Sequence, residues 1–142
     1  MNRSSSIVVS LLAWAGVWAF WLIVTRDFHP TWALALVVTT SLIIAYATAA
    51  YLNHLVLIPR LWSKGRRGQY VLALLLTMVF LNAVALTVIR VAYTQWWGTD
   101  PDPYGIPRHF TIDLFGMAVH LTLAAVIVAL WRRFVLIPPE AK

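Results

Sequence analysis

Hydrophobic positions along this chain fall into four long runs, with the polar residues gathered in the gaps between them. The first run, 7–25, follows a short polar start from Met1 to Ser6 and is about the ~20 residues a helix needs to cross a bilayer. A secretory signal is the competing reading, because Ala13-Trp14-Ala15 resembles a cleavage site. The stretch before it, Ile7 to Leu12, is shorter than the ~7–15 apolar residues such signals use, so an uncleaved membrane helix is expected. Arg26-Asp27-Phe28-His29-Pro30 forms a charge-balanced turn, with Pro30 suited to a helix entrance. The second run, 31–57, is rich in small residues (Ala45, Ala47, Thr48, Ala49, Ala50) that permit close helix approach in lipid. Pro59 lacks an N–H and disfavours helix before it, so this helix is expected to end there. The third run, 70–96, is interrupted by Asn82 and Arg90. The segment 97–111, with Gly98, Pro101, Pro103, Gly105 and Pro107, reads as a loop of consecutive turns. The fourth run, 112–135, ends beside Trp131-Arg132-Arg133 and is followed by Pro138-Pro139.

The expected fold is all-α: a four-helix transmembrane bundle, one membrane domain over 1–142. Its orientation follows from the basic loop 58–69, where Arg60, Lys64, Arg66 and Arg67 stand without an acid. Short loops this basic are retained on the cytoplasmic side, and an even number of spans then places both termini there as well. Val56-Leu57-Ile58-Pro59 recurs as Val135-Leu136-Ile137-Pro138. Two helices stopped by the same lipid-edge chemistry explain this more simply than a duplicated hairpin does.

Composition agrees. The chain has 142 residues, of which 61% are hydrophobic and 11% charged, and it contains 8 Trp and no Cys. Thiolate metal sites, disulfides and cysteine nucleophiles are thereby excluded. An excess of 11 Lys and Arg over 5 Asp and Glu could suggest nucleic acid. The charges sit beside apolar runs without interleaved stacking aromatics, so membrane lipids are the expected partners, with anionic head groups or a cytoplasmic partner at Arg60, Lys64, Arg66 and Arg67, and no nucleic acid.

Polar groups within the spans are costly and need a partner or a purpose. By rise per residue, Asn82 and His120 fall at about the same depth, so they are expected to face each other or a shared polar cavity. The bland version is one interhelical hydrogen bond of about 1 kcal/mol; the functional version is a ligand- or proton-sensing layer. Arg90 and Asp113 are placed together at the outer boundary, as an ion pair or snorkelling groups. Paired intramembrane carboxylates, a phosphate-binding glycine loop and a nucleophile with an adjacent base are all absent, so no enzyme and no catalytic residue is expected. No metal and no cofactor is expected either. The alternative is a chlorophyll-type pigment or haem held through His120, since His54 lies too far away along the membrane normal to share one iron.

The residues Tyr51-Leu52-Asn53, Leu57-Ile58-Pro59-Arg60-Leu61, the basic turn and Gln69-Tyr70 resemble the membrane-embedded sensor region of LytS/YehU-type histidine kinases over about 46–93. The resemblance implies a non-enzymatic, multi-pass module of the bacterial cytoplasmic (inner) membrane. Such a module acts through contacts with partner membrane or signalling proteins, or as a homodimer. The kinase and ATP-binding parts of that family have no counterpart in this sequence. The alternative is a small structural subunit of a respiratory or photosynthetic membrane complex; a small transporter would need a more polar path than one Asn and one His provide.

Overall fold

The computed structural model describes residues 3–98 and 106–135, with side chains over 8–98 and 109–127. Every regular element among them is helical. In order they are α1 (Arg3–Thr25), a 3-10 turn (Arg26–Phe28), α2 (Trp32–Leu52), a π-helical segment (Asn53–Leu57), the single turn α3 (Ile58–Arg60), a second 3-10 turn (Trp62–Lys64), α4 (Arg67–Trp97) and α5 (Ile106–Val135). Four stretches are long and apolar enough to cross a membrane: Val8–Phe28, Trp32–Lys64, Arg67–Trp97 and His109–Ile127. Leu12, Phe20, Ile23, Phe80 and Phe115 point outward and are each more than half exposed. Water would penalise that surface and hydrocarbon would not, so the chain reads as a membrane protein.

Helix α2 is the hub, packed on α1, α4 and α5, while α4 also packs on α5. The buried residues Met78, Asn82, Ala85, Ile89 and Ala92 of α4 recur every three or four positions and form one stripe, with Tyr93 buried beside its end. Ala35, Ala45 and Ala49 of α2 are buried as well, and small side chains at such contacts let helix backbones approach closely. One core cluster gathers Ile43, Tyr46, Met78, Met117 and Leu121; another gathers Leu34, Ile89, Ala92 and Tyr93. The described side chains of helix α1 are at most part-buried, among them Trp14, Trp18 and Trp21.

Two boundaries depart from the sequence reading. Pro59 does not stop the second helix, which continues to Arg60. The wide turn at Asn53–Leu57, closed by Ile58 N–H donating to the Asn53 carbonyl, shifts the bonding frame just before the ring, and Leu61 N–H resumes bonding to the Leu57 carbonyl at 2.9 Å. The reversal comes instead at Gly65, whose φ of 75° suits a residue without Cβ. Helix α5 begins at Ile106 rather than 112, because Pro107 falls in the first turn, where its missing N–H has no partner to lose. The repeated Leu-Ile-Pro at 136–138, the turns expected at 99–105 and the side chains of Arg132 and Arg133 lie outside the described residues.

Candidate functional site

The polar side chains of the bundle sit at three levels. At mid-bundle, His120 on α5 is held from both sides. Trp21 Nε1 of α1 donates to His120 Nε2 at 3.0 Å, and Nδ1 donates to the Gly116 carbonyl at 2.7 Å. Those two bonds fix a neutral imidazole with its hydrogen on Nδ1 and its lone pair on Nε2 taken. The ring also stacks on Tyr46 of α2, with centroids 4.8 Å apart, and the Tyr46 hydroxyl donates to the Asp113 carbonyl at 3.3 Å. His120 thus joins α1, α2 and α5. To ligate a haem or pigment it would first have to lose Trp21.

Asn82 is fully buried on α4, and its Nδ2 donates to the Phe110 carbonyl of α5 at 3.0 Å, while Oδ1 has no partner. The expected pairing of Asn82 with His120 is therefore not formed. Phe110 precedes His120 by ten residues, about 15 Å of helix. The depth argument failed because α5 starts earlier than expected, which sets Phe110, rather than His120, opposite Asn82.

At the end bearing the basic segment, Tyr70 donates to Asn53 Oδ1 at 3.0 Å, joining the start of α4 to the π-helical segment. Trp62 packs edge-on against Tyr70, with centroids 5.2 Å apart, and the Arg67 guanidinium lies 5.5 Å from the Trp62 ring centre. Arg60, Lys64, Arg66 and Arg67 are all exposed around this turn. Tyr51 and Ser10 share a short hydrogen bond that fastens α1 to α2 just above it. Tyr70→Phe should loosen the turn by about 1 kcal/mol, the worth of one hydrogen bond. Limited trypsin digestion checks this: cleavage after Lys64, Arg66 and Arg67 should accelerate in the variant, and an unchanged rate would assign the turn's order to Trp62 alone.

At the opposite end, Arg90 and Asp113 line one cleft of about 800 Å³ together with His29, Tyr93 and His109. Asp113 is half-buried and Arg90 exposed. The Arg26 guanidinium sits 4.5 Å from the Trp32 ring centre and donates to the His29 carbonyl at 3.1 Å. Thr31 caps α2, accepting from Leu34 N–H at 3.2 Å.

No family model, curated protein or solved structure matches this chain.

His29 Nδ1 and the Tyr93 hydroxyl share a 2.6 Å hydrogen bond, tying the first connection to α4. Burial, and after it the Arg26 charge, push the His29 pKa below its usual 6.5. Between that lowered value and 6.5 the unfolded chain binds more protons than the folded one, so stability is fully present above 6.5 and declines as pH falls through the window. The thermal unfolding temperature should therefore drop on acidification below pH 6.5, and by less in His29→Gln. An equal drop in both proteins would remove His29 from the account.

Asn53, Tyr70, His120 and Asn82 carried sequence signals, as members of the motif or as polar interruptions of an apolar run. Trp21, Tyr46 and Gly116 carried none. Each is an ordinary membrane-helix residue until its neighbour is known. Among the described residues no three His, Cys, Asp or Glu side chains converge as a metal site.

Proposed function

We propose that this chain is a non-enzymatic, multi-pass module of a bacterial cytoplasmic membrane that works by contact with partner membrane or signalling proteins, in the manner of the LytS/YehU-type sensor regions it resembles. In this reading both termini and the basic turn face the cytoplasm, as the positive-inside bias favours. One observation carries it. The residues behind the resemblance act as a unit: Asn53 and Tyr70 bond across the two helices, Trp62 packs edge-on against Tyr70, and Arg67 lies over the Trp62 ring, so four cations are presented on an ordered turn. Such a turn is a rigid surface for a cytoplasmic partner. The polar side chains inside the bundle support the same reading, because Tyr46 and Asn82 spend their donors on α5 and His120 spends its Nε2 lone pair on Trp21 of α1.

The test is purification of the tagged protein in mild detergent, with mass spectrometry of whatever accompanies it and an absorption spectrum. Recovery with a histidine kinase or response regulator, in a colourless preparation, is the expected result. A bound pigment, or stoichiometric subunits of an energy-converting complex, would overturn it and make His120 a ligand after displacement of Trp21.

A further inference from the structure

A cleft of about 730 Å³ opens between α1, α2 and α5. It exists because α1 and α5 both pack on α2 but share no comparable interface with each other. Its walls are almost entirely apolar, from Ala13, Val17 and Phe20 on one side to Leu123 and Ile127 on the other. Gly16 lines it, and a Cβ built there would meet nothing within 4 Å, so the groove is open in front of this residue. Ser10, Tyr51 and His54 line one end of the cleft, while Trp21 and His120, already bonded to each other, line it farther along. Ser10 and Tyr51 bond to each other and still have one O–H to give. The cationic turn begins two residues past Ile58, the last α3 residue in the cleft wall.

Length selects the occupant. From Ser10 to Trp21 the cleft follows eleven residues of α1, about 16 Å at 1.5 Å each, and one leaflet of a ~30 Å hydrocarbon core is about 15 Å deep. We propose that this cleft seats one acyl chain of an anionic glycerophospholipid from the leaflet beside the cationic turn. The ester region meets the Ser10–Tyr51 hydroxyls, and the phosphate lies within reach of Arg60 and Lys64. The apolar walls select a chain of methylenes, the hydroxyl end fixes which way it enters, and the cations favour a negative head group. The inference needs only that the chain lies in a bilayer and is independent of which proteins it contacts.

The experiment is native mass spectrometry of the protein after reconstitution into bilayers of equal phosphatidylglycerol and phosphatidylcholine and return to mild detergent. The wild-type chain should retain one phosphatidylglycerol in preference to phosphatidylcholine by fivefold or more. Gly16→Leu fills the groove from a position with open space in front of it, and Leu is a better helix former than Gly. It should keep its unfolding temperature and lose the lipid. The double variant Arg60→Gln/Lys64→Gln should keep a lipid and lose the preference. Retention of the same lipid by Gly16→Leu would overturn the proposal, as would a wild-type chain carrying none. Conversion of a dimer into a monomer by Gly16→Leu, with lipid unchanged, would assign the cleft to a second copy instead.

Discussion

Asn82→Asp is expected to cost the bundle about 3 kcal/mol at neutral pH, the scale of placing a carboxylate at mid-membrane depth, while Asn82→Leu should cost less than about 1 kcal/mol or even stabilise. The two differ because Asn82 is only half satisfied. Its Nδ2 donates to the Phe110 carbonyl and its Oδ1 is buried without a partner. Leu forfeits a bond worth about 0.6 kcal/mol between membrane helices but removes an orphaned acceptor whose burial costs about 1–3 kcal/mol. Asp forfeits the N–H donor and places carboxylate oxygens against the Phe110 carbonyl. Only as the neutral acid can it donate there, so its cost should shrink in acid. Unfolding by SDS titration in mixed micelles, at neutral and acidic pH, measures both. Equal losses for the two variants would mean that Asn82 Oδ1 has a partner in solution, and the argument from half-satisfaction would go.

The second large effect centres on Gly116. A Cβ there would stand 2.9 Å from the Tyr46 hydroxyl but an ordinary 3.7 Å from the ring carbon that bears it. Gly116→Ala should therefore cost about 1–3 kcal/mol, because Tyr46 is buried, stacked on His120 and bonded to the Asp113 carbonyl, and has little room to retreat. Tyr46→Phe alone loses one hydrogen bond, about 1 kcal/mol. The Gly116→Ala/Tyr46→Phe double variant should be less destabilised than the sum of the two, since the oxygen that clashes is the one removed. Strict additivity would show that the close approach is not what Gly116 provides.

The spans were legible in the sequence because lipid makes a simple demand: a helix must be long and apolar, and its interior bonds must close within itself. Asn82 and His120 were legible as polar residues in apolar runs. Their partners were not. Which residues of two helices meet depends on register, and register here turns on Pro107 entering the first turn of α5 rather than the loop before it. Trp21 was hidden by abundance, since among 8 Trp each one reads as an interfacial anchor. The Asn53–Tyr70 bond was half visible, in that the motif picked out both residues but no spacing rule joins them across a reversal. Pro59 misled because its ordinary effect is to stop a helix, and a π-turn absorbs that effect with no mark in composition.

Among its described residues helix α1 holds none of the fully buried core, and side-chain hydrogen bonds from Ser10 to Tyr51, Trp18 to Thr40 and Trp21 to His120 tie it to the rest. A lone apolar helix is already stable in a bilayer, so parting α1 from its neighbours unfolds nothing. Each tie is worth about 0.6 kcal/mol in such surroundings. Tyr46 and Asn82 latch α5 to α2 and α4 without any help from α1, so these three helices would keep their bonds to one another if α1 parted from them. Such a parting would free the Nε2 lone pair of His120 and widen the groove beside Gly16 in one movement.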